Sequence, residues 1–143
     1  MEVKIKKLRE NAEIPQYATI GSAAADLRAA IEEPLTIVPG ERIAIPTGCA
    51  ISFDGGVALI FGRSGLGTKH GVTLANSVGV IDSDYRGEVH VCLINRGSAP
   101  YTVQPNERIA QMMFVPVYIA DFIECDELDE TERGTGGFGS TGR

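Results

Sequence analysis

Glu88-Val89-His90-Val91-Cys92-Leu93-Ile94-Asn95 alternates apolar and polar side chains and runs into Arg96-Gly97-Ser98. Val89, Val91 and Leu93 share one face, and Glu88, His90 and Cys92 share the other. Successive strand side chains point to opposite faces, so this octet reads as a strand with one face in a core. The Arg-Gly-Ser that follows has turn chemistry. The same signature recurs outward in both directions. Val3–Leu8, Leu35–Val38, Arg42–Pro46, Cys49–Phe53, Val57–Phe61, Tyr101–Gln104 and Ile109–Val117 read as strands. Pro39-Gly40, Asp54-Gly55-Gly56 and Pro105-Asn106 punctuate them. Asp54-Gly55 between two apolar runs predicts a β-hairpin. No stretch keeps a helical period over three turns, and a short helix fits only Ser64–His70. Many short strands with frequent turns predict an all-β chain, a jelly-roll-like distorted β-barrel over residues 1–120.

Composition narrows the function classes. The chain has 143 residues, 43% of them hydrophobic and 22% charged, enough for one domain with a real core. Its net charge of −6 is concentrated in Asp121–Glu132, which holds seven acids and no Lys or Arg. The remainder carries 19 − 7 = 12 acids against 13 bases, so no basic nucleic-acid surface is expected. The acidic run reads as a solvated linker. Cys49, Cys92 and Cys125 are odd in number and widely spaced, and His70 and His90 are the only histidines. That pattern suits reduced thiols in the cytoplasm rather than disulfides or a zinc site. Neither a signal peptide nor a membrane span is legible.

Beyond the barrel, Arg133–Arg143 carries five glycines in eleven residues. Gly134, Gly136 and Gly139 satisfy GxGxxG, but no strand precedes them and no helix follows, so a dinucleotide fingerprint fails. Two readings of this arm stand. It is a flexible terminus, or its Arg133, Ser140, Thr141, Arg143 and glycine amides bind phosphate while Phe138 stacks on a base.

Four further segments carry chemistry. Gly62-Arg63-Ser64-Gly65-Leu66-Gly67 ends a strand and offers a cation, a hydroxyl and amides to a phosphate, or is a plain turn with Ser64 as N-cap. It is no P-loop, since Lys69 falls one residue late. Gly79-Val80-Ile81-Asp82-Ser83-Asp84-Tyr85-Arg86-Gly87-Glu88 reads as a hairpin. In it Asp82 is either a general base at a strand end or part of an Asx turn. Asp26 follows three alanines, and Arg108-Ile109-Ala110-Gln111 puts polar groups at both ends of an apolar strand start.

Taken together and in this order, Ala23–Leu27, Gly62–Gly67, Gly79–Glu88, Asn106–Gln111 and Arg133–Gly142 resemble the five motifs of the trimeric dUTP pyrophosphatases, the dUTPases. Two positions depart from the family pattern. Gly62 stands where the second motif usually has Pro, and Ala24 where the first usually has Gly. Neither removes a reactive group.

The resemblance implies a homotrimer whose three sites are each built from all three chains, the arm of one chain closing over a site formed by the other two. It implies hydrolysis of dUTP to dUMP and pyrophosphate, which keeps uracil out of DNA and supplies dUMP for thymidylate synthesis. Asp82 would deprotonate the water that attacks the α-phosphorus. Tyr85 would lie under the deoxyribose and exclude a 2′-hydroxyl. Asn76 and the main chain of 76–85, Val80 and Ile81 included, would read uracil and leave no room for a methyl group. Ser64, Gly65 and Gln111 would contact phosphates, Arg108 would bind substrate, and Arg63 would bear on the phosphates or brace Asp26. Mg²⁺ would ride mainly on the triphosphate, with Asp26 reaching it through water. Phe138 and Gly139 would cover the base, with Arg133, Ser140 and Thr141 on the γ-phosphate. The same fold also serves dCTP deaminases, and a dUTP-binding regulatory protein is a rival of another class. Asp82-Ser83-Asp84-Tyr85-Arg86-Gly87 and Phe138-Gly139-Ser140-Thr141-Gly142 favour the dUTPase.

Overall fold

In the computed structural model, which describes residues 1–137, alternation becomes strand nearly everywhere it was read. The strands are β1 (Val3–Lys7), β2 (Ala25–Arg28), β3 (Leu35–Ile37), β4 (Arg42–Phe53), β5 (Val57–Gly62), β6 (Val72–Leu74), β7 (Val78–Asp82), β8 (Glu88–Asn95), β9 (Tyr101–Val103) and β10 (Arg108–Val115). The short helix α1 spans Ser64–His70, as expected. Two four-stranded antiparallel sheets, β1-β4-β8-β6 and β2-β10-β5-β7, face each other, and β3-β9 forms a small third pair. This is the expected all-β, jelly-roll-like architecture.

The inward residues of both sheets make one core. Ile45, Val91 and Leu93 from the first sheet meet Leu27, Ile60 and Met112 from the second, each 2% exposed or less. Burying one such side chain contributes roughly 1.5–3 kcal/mol. Phe53 of β4 meets Phe114 of β10 edge-on, with centroids 5.1 Å apart, and links the sheets at one end. Asn95, fully buried at the end of β8, donates to the carbonyls of Ile37 and Ala99 at 2.8 Å and accepts the Gly97 amide at 2.8 Å. Both polar atoms of its side chain are thus partnered inside the fold, as a buried amide requires.

Several expectations need correction. Arg42–Pro46 and Cys49–Phe53 are not two strands but one, β4, with a bulge. Pro46 opposes His90 and Ala50 opposes Glu88, so Thr47, Gly48 and Cys49 face Val89 alone. Gly48 sits at φ +70, a conformation glycine tolerates, within the bulge. Asp54-Gly55 does not close a hairpin. Gly55 and Gly56 both take positive φ and reverse the chain, but β4 and β5 belong to different sheets. Gly79–Glu88 is likewise no hairpin, because β7 pairs with β5 while β8 pairs with β4 and β6. Both turns are corners from one sheet to the other. Turn chemistry specifies a reversal, not the pairing of the strands that flank it. Strands β2 and β6 were not anticipated; at four and three residues they are too short to show a period.

Candidate active site

The second sheet carries a cluster of charged groups at one end of β5. There β5 leaves the sheet through Gly62, and Gly62 opposes Ala110 of β10. Gln111 opposes both Phe61 and Asp26, so β2, β10 and β5 bring Asp26, Gln111 and Arg63 side by side. Arg63 Nε lies 3.2 Å from Asp26 Oδ1, and Arg108 Nη1 lies 3.1 Å from Asp26 Oδ2. Arg63 also donates to the Arg108 carbonyl at 3.2 Å. Two guanidiniums thus share one carboxylate, which is 13% exposed. One positive charge remains over. It faces a cleft of about 620 Å³ lined by Ala23, Asp26, Gly62, Arg63, Arg108 and Gln111. The side-chain amide of Gln111 lies 3.5 Å from the Gly62 carbonyl, too long to hold it firmly. A cleft with surplus guanidinium charge and a free amide suits an anion with several oxygens.

The turn before Arg108 is braced. Glu107 accepts the Tyr101 hydroxyl, and its other oxygen accepts the Gln104 main-chain amide at 2.8 Å. Burial, then the hydrogen bond to Glu107, pushes the Tyr101 hydroxyl well above the usual phenol range. It stays a proton donor at any working pH. Ser64 and Gly65 open α1 beside the cluster and are exposed. Ser64 is not the N-cap. Arg63 holds that position, in extended backbone, and no side chain caps the helix, so the hydroxyl is not spent on the first turn.

Asp82, Val80, Ile81 and Tyr85 gather elsewhere. They line a second cleft of about 230 Å³ with Glu88 and His90. Ile81 packs on the core while Val80 and Asp82 are exposed, as strand alternation requires. Tyr85 turns back under Asp82, its amide donating to the Asp82 carbonyl at 3.1 Å. Asn76 is exposed on the connection from β6 to β7 and does not line this cleft.

The two clefts share no lining residue. Asp82 opposes Val57 at the start of β5, and the charged cluster begins at Gly62, its far end. Five residues at about 3.4 Å each set them roughly 17 Å apart.

Arg133 is exposed and donates to the Gly136 carbonyl at 2.9 Å. Phe138, Gly139, Ser140 and Thr141 lie outside the described residues. Among the described residues, no group of three or more His, Cys, Asp or Glu is placed to hold a metal ion.

The dUTPase family model matches residues 10–142. The chain belongs to the dUTPase family. It is 54% identical over 146 residues to the deoxyuridine 5′-triphosphate nucleotidohydrolase of Desulfitobacterium hafniense, covering 99% of this chain and 97% of that one. The enzyme of that name from Chromobacterium violaceum is 54% identical over 145 residues, covering 100% and 97%. The dUTPase of Staphylococcus bacteriophage 80alpha, solved with dUpNHpp, superposes with a TM-score of 0.90 at 26% identity over 99% of both chains. The dCTP deaminase alternative is not favoured by these relatives.

With the family in hand, one omission of the sequence reading stands out. Glu107 lies inside the fourth motif, yet its bracing of Tyr101 and Gln104 was not foreseen. A signal existed. A Glu three residues after Gln104, across a Pro-Asn turn, can reach back to an amide as capping residues do.

Proposed function

We propose that this dUTPase hydrolyses dUTP to dUMP and pyrophosphate in sites assembled from neighbouring chains of a homotrimer. The observation that carries the reading is the separation along β5. A base at Asp82 and a phosphate seat at Arg63, Ser64, Gly65, Arg108 and Gln111 cannot meet on one α-phosphorus when about 17 Å divides them. Placing the Asp82 cleft of one chain against the seat of another removes the difficulty.

In this reading the seat holds the triphosphate and offsets charge on its non-bridging oxygens. Asp82 takes a proton from water as the water oxygen bonds to the α-phosphorus. The bond from that phosphorus to the α,β-bridging oxygen breaks, and pyrophosphate leaves beside Ser64. Tyr85 supports the deoxyribose. The main chain around Val80 and Ile81, with Asn76, reads the uracil edge. Phe138 and Gly139 from a third chain cover the base, and Arg133, Ser140 and Thr141 hold the γ-phosphate. The product dUMP is available for thymidylate synthesis, and uracil is kept out of DNA.

The donor set fits Mg²⁺ carried by the substrate. Asp26 already has both oxygens on guanidiniums, so it would meet the ion through water. Bound there, Mg²⁺ would neutralise phosphate charge and order the triphosphate. Three free cysteines, Cys49 buried with its thiol pushed up by burial, fit a reducing cytoplasm.

The exposed apolar run after β10 supports the trimer. Tyr118, Ile119, Phe122 and Ile123 are each more than four-fifths exposed. Consecutive side chains of this kind need a partner surface. Pyrophosphate release from dUTP, dTTP, dCTP and UTP, with and without Mg²⁺, tests the assignment. Release from dUTP alone is expected. Ammonia from dCTP, or dUTP binding without turnover, would overturn it.

A further inference from the structure

The start of β8 carries contacts that the reaction above does not use. Glu88 is its first residue, with a side chain 15% exposed. Its Oε1 accepts Arg9 Nε at 2.8 Å and the Gly48 amide at 2.8 Å, and its Oε2 accepts Arg9 Nη2 at 3.1 Å. A guanidinium fork on a carboxylate fixes direction as well as distance. The bond to Arg9 holds the Glu88 carboxyl below the usual range, so it is ionised at neutral pH. Three distant segments thus meet on one side chain: the stretch after β1, the bulge of β4 and the first residue of β8.

The main chain of the same residue faces the Asp82 cleft. The Glu88 carbonyl accepts the Tyr85 hydroxyl at 3.1 Å and also lies 3.1 Å from His90 Nδ1. The Tyr85 ring rests on Gly87. A Cβ at Gly87 would come within 2.3 Å of the phenol oxygen and 2.6 Å of Cζ, so no larger residue leaves the ring where it is. Tyr85 is therefore fixed at its amide by Asp82, beneath its ring by Gly87 and at its hydroxyl by Glu88, and it remains 44% exposed toward the cleft.

We infer that the Arg9–Glu88–Gly48 clasp is a positioning device for Tyr85, through which Arg9 and Glu88 sharpen the choice of 2′-deoxyribose over ribose without touching substrate. The inference rests on the reading of Tyr85 as the sugar platform. Steric rejection of one hydroxyl depends on clearances well below the size of an atom. A carbonyl anchor that shifts lets the ring tilt on Gly87 and makes room for the 2′-oxygen. The deoxy substrate presents nothing there, so its turnover is left alone. Arg9 and Glu88 are positioning residues in this scheme, and the effect belongs to selectivity.

The test compares kcat and KM for dUTP and UTP, with thermal melting, in full-length wild type, Arg9→Ala, Glu88→Gln, Tyr85→Phe, Tyr85→Ala and the Arg9→Ala/Tyr85→Phe double variant. Arg9→Ala is expected to lower the dUTP-to-UTP ratio of kcat/KM by about tenfold, through better use of UTP, with kcat on dUTP within about twofold. Glu88→Gln, which keeps an acceptor for Gly48 and weakens the Arg9 contact, should lower the ratio less. Tyr85→Phe, which deletes the anchored hydroxyl, should lower it like Arg9→Ala. The double variant should add little, because both changes act through one contact. A lowered melting temperature in Arg9→Ala and Glu88→Gln with a wild-type ratio, while Tyr85→Ala loses discrimination, overturns the inference and leaves the clasp purely structural. A wild-type ratio in Tyr85→Ala itself is a different pattern. It removes the sugar-platform reading, and the inference with it.

Discussion

Asp26 receives Arg63 on one oxygen and Arg108 on the other, although the three residues lie far apart in the chain. The family resemblance allowed a brace between Arg63 and Asp26. It could not show that Arg108, 82 positions away, joins from the opposite side. That partnership comes from register, since Arg108 opposes Arg28 and Gln111 opposes Asp26. Asp82 was easier to single out, because a carboxylate straight after Val80-Ile81 ends a strand whose apolar member is anchored in the core. Replacing it with Asn keeps shape and removes the proton acceptor. Asp82→Asn should lower kcat by about 10²–10⁴-fold while dUTP still binds. Quenched-flow pyrophosphate release and equilibrium titration with dUTP check the two halves separately. A near-normal kcat would take the base role from Asp82.

At the level of elements, the alternating segments were legible because period two is unambiguous over eight residues, as in β8. Which sheet each strand joins was not. Asp54-Gly55-Gly56 and Ser83–Gly87 look like hairpin turns but are corners, and only the packing of two sheets around one core decides that. The β4 bulge is similar. In sequence Thr47-Gly48 reads as a break, yet the ladder continues past it, tied by Thr47 Oγ1 on the Val89 carbonyl at 2.7 Å and the Leu8 amide on the Gly48 carbonyl at 2.7 Å. At Gly48 a Cβ would sit 2.4 Å from the Ala12 Cβ, on backbone at φ +70. Gly48→Ala therefore combines overpacking with strain and should cost about 2–4 kcal/mol, read as a lower denaturant midpoint with unchanged m. An unchanged midpoint would mean the bulge relaxes freely.

On the scale of the molecule, the barrel closes its own core but leaves two things incomplete. The proposed base and the proposed phosphate seat lie at opposite ends of β5, and Val117–Ile123 keeps its apolar side chains in solvent. In the proposed homotrimer, neighbouring copies would answer both needs at once. In that proposal the acidic stretch 121–132 would serve as a solvated tether for the arm that follows. Deleting residues 133–143 should reduce kcat/KM for dUTP by at least about 10²-fold. Sedimentation should still report the assembled oligomer, because the core and the Val117–Ile123 run are untouched. Full activity in the truncated protein would remove the lid from the account. Sequence alone could suggest shared sites only through family resemblance, since distance along β5 exists only once register is known.

The sharing itself is open to direct measurement. Two inactive variants, Asp82→Asn and Arg63→Ala/Gln111→Ala, are unfolded, mixed in equal amounts and refolded together, with each refolded alone as control. If base and seat come from different chains, random assembly rebuilds intact pairs in about one site in four, and the mixture releases pyrophosphate from dUTP at about a quarter of the wild-type rate. If each chain holds a complete site, every site keeps one defect, and the mixture stays as inactive as its parents.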